Sequence, residues 1–264
     1  DVERSKELYQ VCIDNNFAYG AGRNLGHLLK ATEPEKAAIA YEKAVESGNK
    51  DMRVPLARLI YEVDRQKAVD LCEQAVEDGD VNDGAFFLAW LLEGIDVERS
   101  KQLYKLCIDN GYAYGAGRNL GNLLRESSPD EALAAYNAAL KCDNTEMYFN
   151  IGLVQMYRNT DSAIEAYNKA IAAGFTGASS VNLAHIYMLS NPSKAKELYE
   201  IGAKEGETEA LIGLALLESQ DDSDVAQKYL DEVKSRANAC VSSRSRRQNR
   251  RHDFDSFSVL TPTA

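Results

Sequence analysis

The stretch Asp1–Lys30, DVERSKELYQVCIDNNFAYGAGRNLGHLLK, decides the fold, because it returns at Asp96–Arg125 with 23 of 30 positions identical. The 65 residues that follow each copy align without a gap and share only 12. Inside the copies, Ala18–Gly26 and Ala113–Gly121 are identical throughout. A chain that copies itself at a fixed offset is a repeat protein.

A finer period of 31 or 32 residues runs through this 95-residue offset. Most periods contain a small residue, an aromatic residue four positions later and another small residue three positions beyond. The aromatic position falls at Tyr9, Tyr41, Cys72, Tyr104, Tyr136, Tyr167, Tyr199 and Leu230. Spacing of i, i+4 and i+7 places the three side chains on one stripe of an α-helix. The sequence therefore predicts one such helix in every period and no strand.

The ends of these helices are also marked. Seven residues after the aromatic position stand residues that tolerate a left-handed backbone, namely Asn16, Gly48, Gly79, Gly111, Asp143, Gly174 and Gly206. A second helix in each period carries a Leu-Gly or Leu-Ala pair, as at Leu25-Gly26 and Leu120-Gly121. The segments Thr32–Glu35 and Ser128–Glu131 predict capping boxes with Pro in the first turn.

A unit with Asn-Leu-Gly or Asn-Leu-Ala on one helix and Ala-x-x-x-Tyr-x-x-Ala on the next resembles the tetratricopeptide superfamily, in particular its Sel-one-like branch. In that family the Leu-Gly helix comes first in each unit. The resemblance therefore implies an all-α fold, a right-handed α–α superhelix with an orphan first helix followed by about seven helix pairs. With that phase and no initiator Met, we expect a fragment of a longer protein, in which a targeting segment could precede Asp1.

The resemblance covers about residues 1–236, which we expect to form one solenoid. The orphan helix is expected at 1–15. The units that follow are expected at 16–47, 48–78, 79–110, 111–142, 143–173, 174–205 and 206–236.

Charge separates the solenoid from the end of the chain. Residues 1–233 hold 23 Lys and Arg against 39 Asp and Glu, whereas residues 234–264 hold 7 against 2. An acidic solenoid is a poor surface for nucleic acid. The basic cluster Arg244–Arg251 is the exception. We expect residues 237–264 to form a disordered basic tail, and the alternative is an arm that binds phosphate, nucleic acid or another anionic surface.

Cysteine usage and hydropathy indicate the compartment. No apolar run approaches the ~18 residues that span a bilayer, and no signal peptide opens the chain, which predicts a soluble protein. Cys12 and Cys107 occupy small-residue positions, and Cys72 replaces the aromatic residue. Scattered cysteines at packing positions indicate reduced thiols in a cytoplasmic protein rather than a disulfide framework.

The sequence offers little for catalysis. The histidines lack metal-ligand spacing, and we expect no metal, no cofactor and no enzyme activity. Ser47-x-x-Lys50 and Ser193-x-x-Lys196 match the nucleophile motif of serine β-lactamases, and some Sel-one-like proteins have been described as penicillin-binding. The companion Ser-Asp-Asn and Lys-Thr-Gly motifs are missing. A hydrolase is therefore a remote alternative.

The resemblance also implies a binding groove. In the family, the Leu-Gly helices line a concave face, and residues one or two before the Leu and two after it point toward the ligand. Carried over to this chain, these positions give the candidate partner-binding residues Arg23, Asn24, His27, Arg58, Trp90, Arg118, Asn119, Asn122, Asn150, Asn182 and His185. The predicted function is a non-catalytic scaffold or adaptor that binds another protein, as an extended segment, in this groove.

For each group of groove residues, a role in stabilising the fold is the alternative to a role in binding. The Asn residues before the Leu can pair with a peptide backbone, or with the backbone of a neighbouring helix. Arg23 and Arg118 can face a ligand, or lay their aliphatic stems over the core with the guanidinium in water. The identity of Ala18–Gly26 with Ala113–Gly121 indicates either a binding element used twice or local gene conversion.

Overall fold

The computed structural model describes residues 1–219 and 222–238. These residues form helices joined by short turns, with no strand among them. The predicted basic tail lies almost wholly outside the described residues, as do Arg244–Arg251 and Cys240. The described chain divides into two compact units, residues 1–144 and residues from 145 onward.

The first unit holds an unpaired helix followed by four helix pairs. Its helices are α1 Val2–Asp14, α2 Ala18–Leu29, α3 Pro34–Glu46, α4 Arg53–Ile60, α5 Arg65–Glu77, α6 Asp83–Leu92, α7 Val97–Asp109, α8 Ala113–Leu124 and α9 Pro129–Leu140. The pairs are α2 with α3, α4 with α5, α6 with α7 and α8 with α9. In every pair the helix with the Leu-Gly or Leu-Ala motif comes first, as the family resemblance implies.

The second unit continues the same order with three pairs. Its helices are α10 Met147–Gln155, α11 Thr160–Ala172, α12 Thr176–Tyr187, α13 Pro192–Lys204, α14 Thr208–Glu218 and α15, residues 223–238. The pairs α10 with α11 and α12 with α13 pack closely, and Tyr229 and Val233 of α15 pack against the cluster that contains Leu211 and Leu214 of α14. None of the helices in the described part of the chain combines the length and apolar character that a membrane span requires.

The predicted left-handed turns are confirmed. Positive φ angles in the described chain occur at Asn16 (67°) and Asp143 (62°), and at the glycines 48, 79, 111, 174 and 206. These are the seven positions that follow the aromatic helices. Glycine adopts this conformation without a Cβ penalty, and Asn and Asp tolerate it better than other side chains.

The aromatic stripe forms the core between paired helices. Tyr41, Tyr104, Tyr136, Tyr167 and Tyr199 are at most 1% exposed. Four glycines lie directly against these rings. Any Cβ at Gly26, Gly121, Gly152 or Gly213 would overlap the ring of Tyr41, Tyr136, Tyr167 or Tyr199, respectively. In the repeats that carry it, the glycine of the Leu-Gly motif is thus required by packing against the ring.

The predicted capping boxes are wrong, although the prolines begin the helices as expected. Pro34 and Pro129 are the first residues of α3 and α9, but their caps, Glu33 and Ser128, make no side-chain capping bond. The Thr32 hydroxyl instead donates to the Leu29 carbonyl oxygen. Side-chain caps are made at the corresponding position of other repeats, by Asp1, Asp64, Asp96, Asn159 and Asn191.

Two buried asparagines anchor the turn that follows a helix pair to the first helix of that pair. Asn49 and Asn144 are each 1% exposed, and their Nδ2 atoms donate over 2.7 Å to the carbonyl oxygens of Tyr19 and Tyr114. The two bonds are equivalent across the 95-residue offset. They hold the chain after α3 and α9 against the first turns of α2 and α8, so packing accounts for the asparagine that the two blocks share at this position.

Candidate functional site

A cavity of about 410 Å³ lies in the first unit, between α4, α6 and α8. We call it the α4–α6–α8 pocket. Its walls are formed by Arg58, Tyr61, Phe86, Phe87, Trp90, Glu93, Arg118, Asn119, Asn122 and Leu123. Five of these residues, Arg58, Trp90, Arg118, Asn119 and Asn122, are among the sequence-predicted groove positions. The structure therefore brings together candidates from three repeats.

One wall of the pocket is aromatic. The rings of Phe87 and Trp90 are stacked, with centroids 5.5 Å apart and an angle of 12° between their planes. Tyr61 meets both rings edge-on, at 5.9 Å from Phe87 and 5.2 Å from Trp90. Trp90 remains 37% exposed, whereas Phe87 is buried. Each of the three rings thus contacts the other two, in the edge-to-face and stacked arrangements that aromatic pairs favour.

Phe86 of α6 also lines the pocket, through a second group of rings. Its ring lies 5.8 Å from that of Tyr104 and 5.7 Å from that of Tyr112. The list of candidate residues omits Phe86 and Phe87, although they stand two and one positions before Leu88 and so occupy ligand-facing positions that the resemblance implies. Tyr61 lies three residues after Arg58, a spacing that places two side chains on one helical stripe and could have indicated it.

Charged side chains form another part of the pocket lining. The Arg58 guanidinium pairs with Asp83 over 2.5 Å, and its central carbon lies 5.1 Å from the centre of the Phe87 ring. Arg118 contributes a second guanidinium from a half-buried position on α8. The carboxylate of Glu93 lines the same cavity. Apolar rings and charged side chains thus meet in one concave site.

Buried tyrosine hydroxyls hold the two amides of the pocket. Asn119 Nδ2 donates to the Tyr104 hydroxyl over 2.9 Å, and that hydroxyl donates to Glu93 over 2.5 Å. The Tyr136 hydroxyl donates to Asn122 Oδ1 over 2.8 Å. Burial raises the pKa of Tyr136 to about 12, so the hydroxyl remains a neutral donor at physiological pH. The amide orientations are therefore set by the core.

The copy of this element in α2 has different surroundings. Arg23 and His27 are exposed, and the Arg23 Nε donates to Asn24 Oδ1 over 3.3 Å. His27 Nδ1 is hydrogen-bonded to the Tyr41 hydroxyl over 2.8 Å, and burial lowers the pKa of His27. Asn24 and His27 line a separate cavity of about 360 Å³ whose walls come from α1 and α2. No aromatic wall of the α6 type contributes to that cavity.

The candidates in the second unit are tied locally. Asn150 Nδ2 donates to the Glu146 carbonyl oxygen over 3.5 Å, and Asn182 Nδ2 donates to that of Ala178 over 2.9 Å. Each bond runs one turn back along the same helix. His185 packs edge-on against a tyrosine ring of α13, with centroids 5.5 Å apart. The alternative that the Asn residues bind a neighbouring helix backbone is therefore not seen at these two positions.

The serine and lysine motifs lack the contacts of a hydrolase. The Ser47 hydroxyl donates to the Lys43 carbonyl oxygen, and Lys50 pairs with Asp78 over 2.7 Å. Lys196 pairs with Glu218 over 2.5 Å, and this hydrogen bond raises the pKa of the Lys196 ammonium. A lysine that acts as a base needs a lowered pKa. Within residues 1–219 and 222–238, no cluster of three or more His, Cys, Asp or Glu side chains is placed to hold a metal ion.

Comparison with known proteins identifies the fold. No family model matches the chain, and no curated protein matches it. Among solved structures, it is similar to a protective antigen of uropathogenic Escherichia coli strains with an SLR (Sel1-like repeat) fold, at TM-score 0.64 and 14% identity over 98% of this chain and 68% of that one. It is also similar to a Sel1 repeat protein of Oxalobacter formigenes, at TM-score 0.59 and 20% identity over 80% of this chain and 96% of that one.

A third similar structure is yeast Tom70, at TM-score 0.51 and 17% identity over 95% of this chain and 59% of that one. These similarities show the fold, which is the α–α superhelix of Sel1-like and tetratricopeptide-like repeat proteins. Helical repeat folds of this class generally mediate protein–protein interaction through their extended concave surfaces.

Proposed function

We propose that this chain is a non-catalytic adaptor that binds an extended segment of a partner protein along α4, α6 and α8. One observation carries the proposal: five groove positions expected from three separate repeats line a single concave cavity in the first unit. A cavity of this size with an apolar wall and a few convergent polar groups has the character of a ligand site. We place the adaptor in the cytoplasm, where its buried thiols remain reduced.

The pocket is suited to a polypeptide in particular. The Asn119 and Asn122 amides are oriented by tyrosine hydroxyls, and each amide group has donors and acceptors beyond the single bond that the tyrosine makes. Groups of this kind can pair with the exposed N–H and C=O groups of an extended chain. Trp90 offers an exposed ring beside them, and aromatic residues are enriched in the centres of protein interfaces.

Site-specific photo-crosslinking tests this proposal. A benzophenone amino acid placed at Asn122 should crosslink to a partner in affinity-purified complexes, and mass spectrometry should locate the crosslink in an extended segment. The matched control places the same group at Ile39, an exposed residue of α3 that does not line the pocket. Crosslinks from position 39 to a verified partner, with none from position 122, would contradict the proposal.

Fluorescence of Trp90, the single tryptophan of the chain, gives a second measurement. Binding of the crosslinked segment as a synthetic peptide should change the emission, because the indole exchanges water for peptide contacts. Arg118→Ala should weaken this binding by about 1.5–3 kcal/mol if the guanidinium is hydrogen-bonded in an enclosed site, and by less than ~1 kcal/mol if it forms an exposed ion pair.

A further inference from the structure

We propose that the α4–α6–α8 pocket binds a proline-rich segment of the partner in the polyproline II conformation. The inference rests on the proposed function and names the kind of segment that the site takes. Three observations support it: the exposed aromatic wall, the hydrogen-bond donors beside that wall, and the spacing of the helices that carry them.

The aromatic wall offers a surface for proline rings. Trp90 keeps 37% of its surface exposed, although it stacks on Phe87 and meets Tyr61 edge-on. Grooves lined by aromatic side chains are recurring docking sites for polyproline II segments, whose preformed conformation loses little entropy on binding. Contact between proline rings and this wall removes apolar surface from water on both sides.

Two polar groups beside the wall are available to donate hydrogen bonds. The Trp90 indole N–H can only donate. The Asn122 oxygen accepts from the Tyr136 hydroxyl over 2.8 Å, and within the described part of the chain no hydrogen bond engages its Nδ2 group. A proline residue presents a carbonyl oxygen and no N–H group. It therefore accepts from these donors without leaving a donor of its own unpaired among the rings.

The specificity does not depend on the charged residues of the lining. The Arg58 guanidinium pairs with Asp83 over 2.5 Å, and Arg118 also has an interaction of its own. Glu93 accepts from the Tyr104 hydroxyl. A charged partner side chain would have to compete with these contacts, whereas an uncharged proline-rich segment leaves them in place.

The spacing of the helices matches the repeat of a polyproline II helix. The α8 backbone approaches α6 closely, since a Cβ added at Gly115 would lie 2.9 Å from the Phe86 ring. The axes of packed helices lie about 8–10 Å apart. A polyproline II helix rises roughly 9 Å in each turn of three residues. Residues i and i+3 of the segment face the same side, so they can meet Trp90 of α6 and Asn122 of α8, which hold equivalent positions in their repeats.

Three hexapeptides, each acetylated and amidated, test the proposal on the whole chain labelled with ¹⁵N. The probes are hexa-L-proline, hexa-D-proline, which carries the same rings and carbonyl groups in a helix of the opposite hand, and (Gly-Ser)₃, which is flexible and lacks the rings. The chain has one tryptophan, so the indole N–H signal reports on Trp90 alone. Hexa-L-proline should move this signal, and each of the other two probes should bind at least about fivefold more weakly.

Two charge-matched variants test the role of the Asn122 amide. Asn122→Asp keeps an oxygen for the Tyr136 hydroxyl and removes both N–H donors, so it should weaken the binding of hexa-L-proline by about fivefold or more. Asn137→Asp makes the same change at an exposed residue of α9 that does not line the pocket, and binding should stay within about twofold. The dispersion of the ¹H–¹⁵N spectrum shows that each variant is folded.

Several outcomes would overturn the inference: no indole shift at ~10 mM hexa-L-proline, equal binding of hexa-L-proline and either control probe, or equal effects of Asn122→Asp and Asn137→Asp. The comparison of probes uses the unsubstituted chain, so it remains decisive even where a variant does not fold.

The proposed function fails separately, because irreversible crosslinking from position 122 tolerates a severalfold loss of affinity and does not involve the hexapeptides. A partner captured at position 122 through an extended segment without proline would leave the function standing and remove this specificity.

Discussion

Asn119 and Tyr104 are joined by a hydrogen bond of 2.9 Å, in which the asparagine amide of the pocket donates to a hydroxyl that is anchored in the core. The Tyr104 hydroxyl in turn donates a hydrogen bond to the Glu93 carboxylate over 2.5 Å. A fully buried ring therefore orients two side chains that line the α4–α6–α8 pocket. Packing of the repeat and geometry of the candidate site depend on the same residue.

Tyr104→Phe is expected to lower the free energy of unfolding by about 1–3 kcal/mol, because half-buried Asn119 and Glu93 lose their partner while the ring packing is retained. Urea unfolding followed by circular dichroism measures the change. Tyr114→Phe is the control, because Tyr114 is exposed and should change stability by less than ~0.5 kcal/mol. Equal stability of the two variants would show that the hydroxyl network contributes nothing.

Gly26→Ala is expected to destabilise the first unit by about 1–3 kcal/mol, since the added methyl group overlaps the Tyr41 ring and forces α2 away from α3. Gly20→Ala in the same helix is the matched control, because nothing lies within 4 Å of its added Cβ. Removing a helical glycine there should stabilise by about 0.5–1 kcal/mol. The prediction fails if both substitutions move the urea midpoint in the same direction.

Alkaline pH is expected to unfold the protein through its buried tyrosines. Burial raises the pKa values of Tyr136 and Tyr199 to about 12, and it also raises those of Tyr41, Tyr104 and Tyr167. An acid whose folded pKa is raised contributes its full stability below its unfolded pKa of ~10, and that stability is lost as pH rises toward the folded value.

The urea concentration at the midpoint of unfolding should therefore be constant near pH 8 and decrease steadily above pH ~10. Absorbance at 295 nm should show a distinct class of tyrosine that ionises only as the helical signal is lost. A single titration class in the folded protein would contradict the burial of the aromatic stripe.

Thiol labelling should distinguish cysteines that occupy equivalent positions. Cys72 and Cys107 are buried, and burial raises the pKa of each thiol to about 12, so alkylation should require unfolding. The sequence places Cys12 at the same packing position as Cys107, but the expectation that Cys12 is packed is wrong because Cys12 is exposed. Mass spectrometry after brief treatment with N-ethylmaleimide should find Cys12 modified and Cys107 intact. Rapid labelling of Cys107 would show that α6 and α7 separate in the folded state.

The repeating parts of this fold were predictable from the sequence. The seven left-handed turns and the buried tyrosines follow from requirements within one helix pair, and such requirements recur at the repeat period. A left-handed φ angle admits only a few residue types, and a ring packed between helices demands a small residue opposite it. Side-chain capping was less predictable, because several residue types can cap a helix and the caps vary from repeat to repeat.

The surroundings of each copy were decided only by the tertiary structure. Leu8 and Leu103 occupy the same place in nearly identical helices, yet Leu8 is 52% exposed and Leu103 is 8% exposed. Leu103 is buried because α6 packs against α7. In the same way, Arg118 shares a pocket with rings from α4 and α6, and Arg23 does not.

The physical reason is the range of the interactions. Helical periodicity and turn conformation depend on residues within a few positions of one another, so both can be predicted from a single sequence. A pocket is formed by side chains from helices about 30 and 60 residues apart, and its character depends on which repeat stands next to which. The sequence by itself therefore determined the repeat and the candidate positions, and the stacking of unequal neighbours decided which of those positions meet in one site.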